Sequence, residues 1–258
     1  MYIGGIIFMK IAKRNTYIAH RGLHDKDIPE NSMKAFERAV KYGFAIELDV
    51  QKTLDNQLVV FHDESLYRMC AVKKKVRECT FLELCAFVLG ASSERIPKLA
   101  DVLDMVHGTV PLLIEIKSEG DWKTTTLLLA RLMKKYTGEY WIESFHPLVL
   151  RMYRNISPNT IIGQLTSDLF KERDSHSLIV KFLLSNLLLN WLSKPDFIAY
   201  HYKYRTKTAF KVCKRNKRIK TAAWTVKSQD TLDALREEFD VFIFEGFIPK
   251  EKKNMLKE

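Results

Sequence analysis

Eight short apolar runs, beginning at Tyr17, Ala45, Leu112, Tyr140, Thr160, Phe197, Lys220 and Val241, punctuate this chain, and most are separated by stretches of helical spacing. That alternation argues for parallel βα units, because parallel strands need a crossover long enough to hold a helix. Eight such units in 258 residues fit a closed (β/α)8 barrel of the TIM type, which uses about 250 residues as one domain. An open doubly wound sheet competes with it, but no Gly-rich phosphate loop follows the first run. A ninth apolar run, 58–61, follows a turn at Asp55-Asn56 and reads as a hairpin partner of the second strand. The expectation is one α/β barrel domain over 1–258, with a short irregular insertion after the second strand at about 64–95. That insertion is basic at 73–75 and carries a helix near 81–89.

Helix signals fill the gaps. Asn31 or Ser32 can cap a helix that runs to about Tyr42 and stops at Gly43. Similar spacing predicts helices over 99–106, 122–135, 147–154, 206–214 and 229–238. The stretch 178–192 is apolar around most of its circumference and reads as one long helix. At 1.5 Å per residue it would span roughly 22 Å, short of a bilayer core of about 30 Å. Burial beneath neighbouring barrel helices is the plainer expectation; an interfacial helix with Phe182 and Trp191 among lipid headgroups is the sharper one.

The second strand carries the most informative residues. Side chains alternate along a strand, so Glu47 and Asp49 share one face while Ile46, Leu48 and Val50 take the other. Two carboxylates on one face of an apolar strand call for a cation, and a hard divalent ion suits oxygen ligands. A half-exposed strand with a solvated acidic face is the plain alternative. In a barrel of this kind catalytic groups gather at the C-terminal strand ends. There stand His20-Arg21, Glu47 with Asp49, Glu115 with Lys117, and Trp224, while His62 ends the hairpin run. Singly, each has an ordinary structural explanation, such as an exposed Glu115–Lys117 ion pair. Jointly they compose a site. Three carboxylates can hold a metal that polarises a phosphoryl oxygen, Arg21 and Lys117 can meet phosphate, and two histidines can divide base and acid roles. Phosphodiester cleavage fits this inventory better than acyl transfer, which needs an activated Ser or Cys nucleophile.

The ordered motifs His20-Arg21-Gly22, Pro29-Glu30-Asn31-Ser32, Glu47-Leu48-Asp49-Val50, Val60-Phe61-His62-Asp63, Ile96-Pro97-Lys98-Leu99, Glu115-Ile116-Lys117, Ser144-Phe145 and Ala223-Trp224-Thr225 resemble the glycerophosphodiester phosphodiesterase family. The resemblance runs from about Tyr17 to Pro249. It implies His20 and His62 as the acid/base pair, and Glu47, Asp49 and Glu115 as ligands of one divalent metal ion, Mg²⁺ or Ca²⁺. It also implies Arg21, Lys117, Trp224 and Phe145 as substrate contacts, with Trp224 lining the glycerol pocket. The implied substrate is a small glycerophosphodiester, released as sn-glycerol 3-phosphate and an alcohol. A lipid-directed phosphodiesterase resembling lysophospholipase D, and a non-catalytic phosphate- or lipid-binding relative, are the alternatives. The chain departs from the family pattern at Glu245 after Phe244, where Thr-Asp is common, at Lys227, and at His146. These positions are expected to bear on substrate preference rather than on the metal or acid/base set.

Lys and Arg total 42 against 31 Asp and Glu, a formal net charge of +11, which favours anionic partners. Basic residues are scattered and no nucleic-acid recognition motif appears, so nucleic acid is not an expected partner. The basic stretches 203–220 and 250–257 would support peripheral contact with an anionic membrane. Cys70, Cys79, Cys85 and Cys213 form no zinc or C-x-x-C spacing and read as reduced thiols of a cytoplasmic protein. The apolar start, 1–8, lacks a basic n-region and a cleavage site, which argues against a signal peptide. Oligomeric state leaves no trace in the sequence.

Overall fold

The computed structural model describes residues 17–172, 177–216 and 218–253. The apolar start 1–8, Lys217 of the basic stretch and the tail beyond 253 lie outside the described residues. Eight parallel strands close on one another: β1 (Tyr17–Ala19), β2 (Ala45–Lys52), β4 (Leu112–Ile116), β5 (Tyr140–Ser144), β6 (Ile161–Thr166), β7 (Phe197–His201), β8 (Lys220–Val226) and β9 (Val241–Phe244). Their order is β1-β9-β8-β7-β6-β5-β4-β2, and β1 pairs with β2 to complete the ring. The remaining strand, β3 (Leu58–Val60), runs antiparallel to β2 as a hairpin, as its turn signal predicted. The (β/α)8 barrel expectation holds.

Helices α1 (Met33–Lys41), α4 (Leu99–Val106), α5 (Trp122–Met133), α6 (Pro147–Ile156), α7 (Leu178–Ser185), α8 (Asn190–Ser193), α9 (Thr208–Arg215) and α10 (Gln229–Leu235) lie between the strands, with α11 (Lys250–Lys253) after the last. Of the two predicted caps, Ser32 is the one used: its side chain accepts the Ala35 N–H, and Tyr42 and Gly43 end the helix.

The insertion contains short helices α2 (Tyr67–Cys70) and α3 (Phe81–Leu84) and packs its own small core of Val59, Phe61, Leu66, Val76, Leu84 and Ile96. The predicted 81–89 helix is shorter than expected. A Thr80–Glu83 capping box starts it, but Cys85 ends it and Val88 turns to bridge with Arg95.

The long helix expected over 178–192 is two pieces. Asn186 donates its side-chain amide to the Phe182 carbonyl (2.8 Å), and Leu187 takes a left-handed φ of +57°, so the chain turns before α8. Burial beneath neighbours fails as well. Ser185 is the buried residue of α7, whereas Leu178 and Ile179 are each 74% exposed.

Strand alternation sorts the barrel interior by height. At the N-terminal end the inward residues are apolar, among them Ile18, Leu113, Trp141, Ile161, Phe197 and Val241. Gly163 belongs to this packing: a Cβ there would fall within the ring of Phe197, so glycine lets that ring plug the barrel. Further along the same faces stand His20, Glu47, Asp49, Glu115, Lys117 and Glu143, with Trp224 and Glu245 beside them. The polar mouth therefore rests on a closed apolar floor.

Candidate active site

Arg21 and Gly22 break β1 with positive φ values of +53° and +80°, and a Cβ on Gly22 would press within 2.9 Å of Ala35 and Phe36. This turn carries the Arg21 N–H to Glu47 Oε2 at 2.8 Å. The Arg21 guanidinium donates to Glu30 (2.7 Å) and lies 3.4 Å from Asp49. Asn31, also at positive φ, donates from its side chain to Asp49 Oδ2 at 2.8 Å.

Register places Asp49 beside Glu115 on the neighbouring strand, and Glu115 beside Glu143 on the next. Oxygens of Glu47, Asp49 and Glu115, all buried, lie within 4.8 Å of one another. Lys117 is buried among them, 2.9 Å from Glu115 and 3.5 Å from Asp49, so the exposed ion pair is not what forms here. Four buried carboxylates (Glu47, Asp49, Glu115, Glu143) face two fixed cations (Arg21, Lys117), leaving two negative charges in excess. Burial, and then the charges of Asp49, Glu143 and Glu115, push Glu47 well above the usual carboxylate range. Burial would raise Asp49 too, yet Lys117, His62 and Arg21 hold it far below that range. Glu115 is raised, by burial first, against the pull of Lys117. Asn31 Oδ1 is buried without a hydrogen-bond partner, and Asp49 Oδ1 accepts no hydrogen bond but faces Lys117 Nζ at 3.5 Å. An all-oxygen trio with excess negative charge and unpaired buried oxygen fits a hard divalent cation.

The two histidines are held alike. His20 shares a 2.6 Å hydrogen bond between Nδ1 and Glu245 Oε2, and its Nε2 stands 4.0 Å from Glu47. His62 shares one of 2.7 Å between Nδ1 and Asp63. Asp63 accepts from Arg68 (2.5 Å), which also donates to Glu30 (2.6 Å). The chain of contacts thus runs from His62 through Asp63, Arg68 and Glu30 to Arg21. Gln51 fixes the His62 loop by donating to the carbonyls of Phe61 and Asp63, each at 2.8 Å. A carboxylate on Nδ1 leaves Nε2 of either ring for proton transfer. Burial lowers the His20 pKa, against the opposing effect of the Glu245 bond. Phe145 meets Trp224 edge-on with ring centroids 5.7 Å apart, and both line a cavity of about 760 Å³ that also reaches His62, Glu115 and Lys117.

One expectation is overturned. The departures at Glu245 and Lys227 do touch the acid/base set: Glu245 bonds His20, and Lys227 Nζ lies 2.6 Å from the other Glu245 oxygen. The missed signal was parity, because Val241, Ile243 and Glu245 share the inward face of one strand. Glu143 was missed for a similar reason, lying in register with Glu115 inside a strand that reads as plain core. Glu30 and Asn31 lie in the quoted motifs, but their partners Arg68 and Asp49 come from other segments, while Asp63 meets its own neighbour His62.

A family model described as the glycerophosphoryl diester phosphodiesterase family matches residues 20–241. A glycerophosphodiester phosphodiesterase of Caldanaerobacter subterraneus subsp. tengcongensis is 34% identical over 160 residues, 57% of this chain and 65% of that protein. This chain therefore spans just under two thirds of that relative's length. A putative glycerophosphodiester phosphodiesterase of Bacillus subtilis (strain 168) is 28% identical over 250 residues, 92% of this chain and 98% of that one. The solved structure of an Oleispira antarctica phosphodiesterase in complex with the product sn-glycerol-3-phosphate has a TM-score of 0.75 at 20% identity. It covers 96% of this chain and 99% of that one, and the likeness bears on the fold.

The Glu245 contact has a testable sign. The carboxylate supports the protonated imidazole, so Glu245→Gln should lower the His20 pKa further. Histidine ring resonances followed by NMR across pH would show it. A His20 midpoint that is unchanged or higher would contradict the coupling.

Proposed function

The chain belongs to the glycerophosphoryl diester phosphodiesterase family, and from that premise we propose that it hydrolyses glycerophosphodiesters to sn-glycerol 3-phosphate and an alcohol, using one barrel domain. The observation that carries this reading is the buried Glu47–Asp49–Glu115 trio, with carboxylate-held His20 and His62 beside it at the C-terminal strand ends. A small anionic diester suits a mouth where Arg21 and Lys117 are the fixed cations.

Glu47, Asp49 and Glu115 would hold one Mg²⁺ or Ca²⁺ ion. When bound, the ion would supply charge stabilisation to a phosphoryl oxygen. The protein's own groups do the rest. Arg21, anchored by Glu30, and Lys117, anchored by Glu115, fix the phosphate. His20, kept neutral by burial, takes the proton of the attacking oxygen at Nε2. His62, steadied by Asp63, returns a proton to the leaving alcohol. Phe145 and Trp224 line the cavity and shield the glycerol from water.

Among the described residues no helix is long and apolar enough to cross a membrane. Peripheral membrane contact is supported by the open face of α7 and α8, where Phe182 is 53% and Trp191 69% exposed.

His20→Ala and His62→Ala should each lower release of sn-glycerol 3-phosphate from glycerophosphocholine by about 10²–10⁴-fold, with circular dichroism unchanged. Chelator should abolish turnover in the parent enzyme, and Mg²⁺ or Ca²⁺ should restore it. Activity that survives either substitution or exhaustive chelation would refute the assignment. Anionic vesicles should sediment the parent protein and leave Phe182→Ser/Trp191→Ser in the supernatant; equal recovery would exclude the membrane contact.

A further inference from the structure

The cavity that reaches His62, Glu115 and Lys117 does not stop at the phosphate-sized end. Leu169, Val180, Leu184, Leu189 and Leu192 also line its wall, with Ser167 and Glu172 as the polar residues of the same segments. Glycerophosphodiesters of small alcohols are polar throughout and give such a wall nothing to bury. At about 760 Å³, the space lies in the upper part of the range, about 300–1,000 Å³, of pockets that enclose drug-sized ligands.

The apolar wall is built in. Thr166, at the end of β6, donates its hydroxyl to the Leu184 carbonyl at 3.2 Å, and buried Ser185 accepts the Leu169 N–H at 2.9 Å. Ser193, also buried, lies 3.4 Å from Gln164 Oε1, and Gln164 donates to the Phe145 carbonyl at 3.0 Å. Ser185, Ser193 and the Leu184 carbonyl therefore fasten the α7–α8 segment to the barrel. Leu184, Leu189 and Leu192 line the cavity, while Phe182 and Trp191 stay on the open face.

We infer that this arm holds one fatty acyl chain, and that the site takes monoacylated glycerophosphodiesters in preference to chain-free ones. The inference rests on the phosphodiesterase reading for its chemistry, but the arm exists whether or not the diester is cleaved. Continuity of the leucine wall with the catalytic end selects the occupant: a ligand whose polar phosphodiester sits by Lys117 and whose chain runs beneath α7. A chain carried on the glycerol and one carried on the alcohol share this chemistry.

Calorimetry with chelator present reads binding without turnover. The ligands are monomeric 1-acyl-glycerophosphocholines of increasing chain length and N-acyl-glycerophosphoethanolamines of the same lengths. Affinity should rise by up to about fourfold per added methylene until the arm is full, in the series whose attachment point matches the site. Leu184→Trp, which fills the arm, should flatten that slope and cut kcat/KM for the acylated substrate at least tenfold. Its kcat/KM for glycerophosphocholine should stay within twofold of the parent value. Affinity independent of chain length in both series, or a Leu184→Trp loss equal on acylated and chain-free substrates, would overturn the arm. The phosphodiesterase reading fails by a different sign: in the presence of metal, no sn-glycerol 3-phosphate from glycerophosphocholine or N-acyl-glycerophosphoethanolamine and no 1-acyl-glycerol 3-phosphate from 1-acyl-glycerophosphocholine.

Discussion

Charge confined in the mouth of a closed barrel is the constraint on which this structure depends. Parallel strands send alternate side chains inward, and closure leaves those residues no route to solvent except the open end. Here the inward faces begin with Ile18, Leu113, Trp141 and Phe197 and finish with Glu47, Asp49, Glu115 and Lys117. The apolar floor keeps water away from the carboxylates, so their repulsion is felt at low screening. Two negative charges beyond what Arg21 and Lys117 balance demand either protons or a divalent cation. The elevated Glu47 pKa expresses this demand in the absence of metal.

The same confinement shapes the histidines. An imidazole at such a mouth would rotate unless one nitrogen were held, and each is held through Nδ1 by a carboxylate from a different part of the chain. Glu245 comes from the end of the last strand, and Asp63 from the hairpin after the second. Arg68, in the insertion, ties Asp63 to Glu30 and so to Arg21. The insertion is therefore part of the electrostatic frame of the site. Its small core of Val76, Leu84 and their neighbours keeps Arg68 in reach.

Much of this was legible in the sequence because periodicity and strand-end position are local properties. The eight strands fell within a residue or two of their expected starts, and the fold brings His20, Glu47, Asp49, His62, Glu115 and Lys117 to one barrel mouth. The failures at Glu245 and Glu143 share one physical cause: they depend on partners distant in sequence. Glu245 meets His20 across 225 residues, and no local pattern announces that bond. Glu143 becomes significant only when register sets it beside Glu115. The break between α7 and α8 turned on Asn186 bonding its own preceding turn, which an apolar count over 178–192 does not register. Exposure of that segment followed from its few serines fastening it by an edge, with much of its apolar surface left outward.

Direct calorimetric titration of the purified protein with Mg²⁺ and with Ca²⁺ tests the central claim, that the barrel mouth is a divalent-cation site built from Glu47, Asp49 and Glu115. The account predicts one ion per chain, with affinity that rises with pH as Glu47 gives up its proton. It also predicts weakening in Glu47→Gln, Asp49→Asn and Glu115→Gln by at least the ~10–100-fold that loss of an outer-shell partner costs. Absence of binding to the parent protein, or equal binding by the three folded variants, would contradict it.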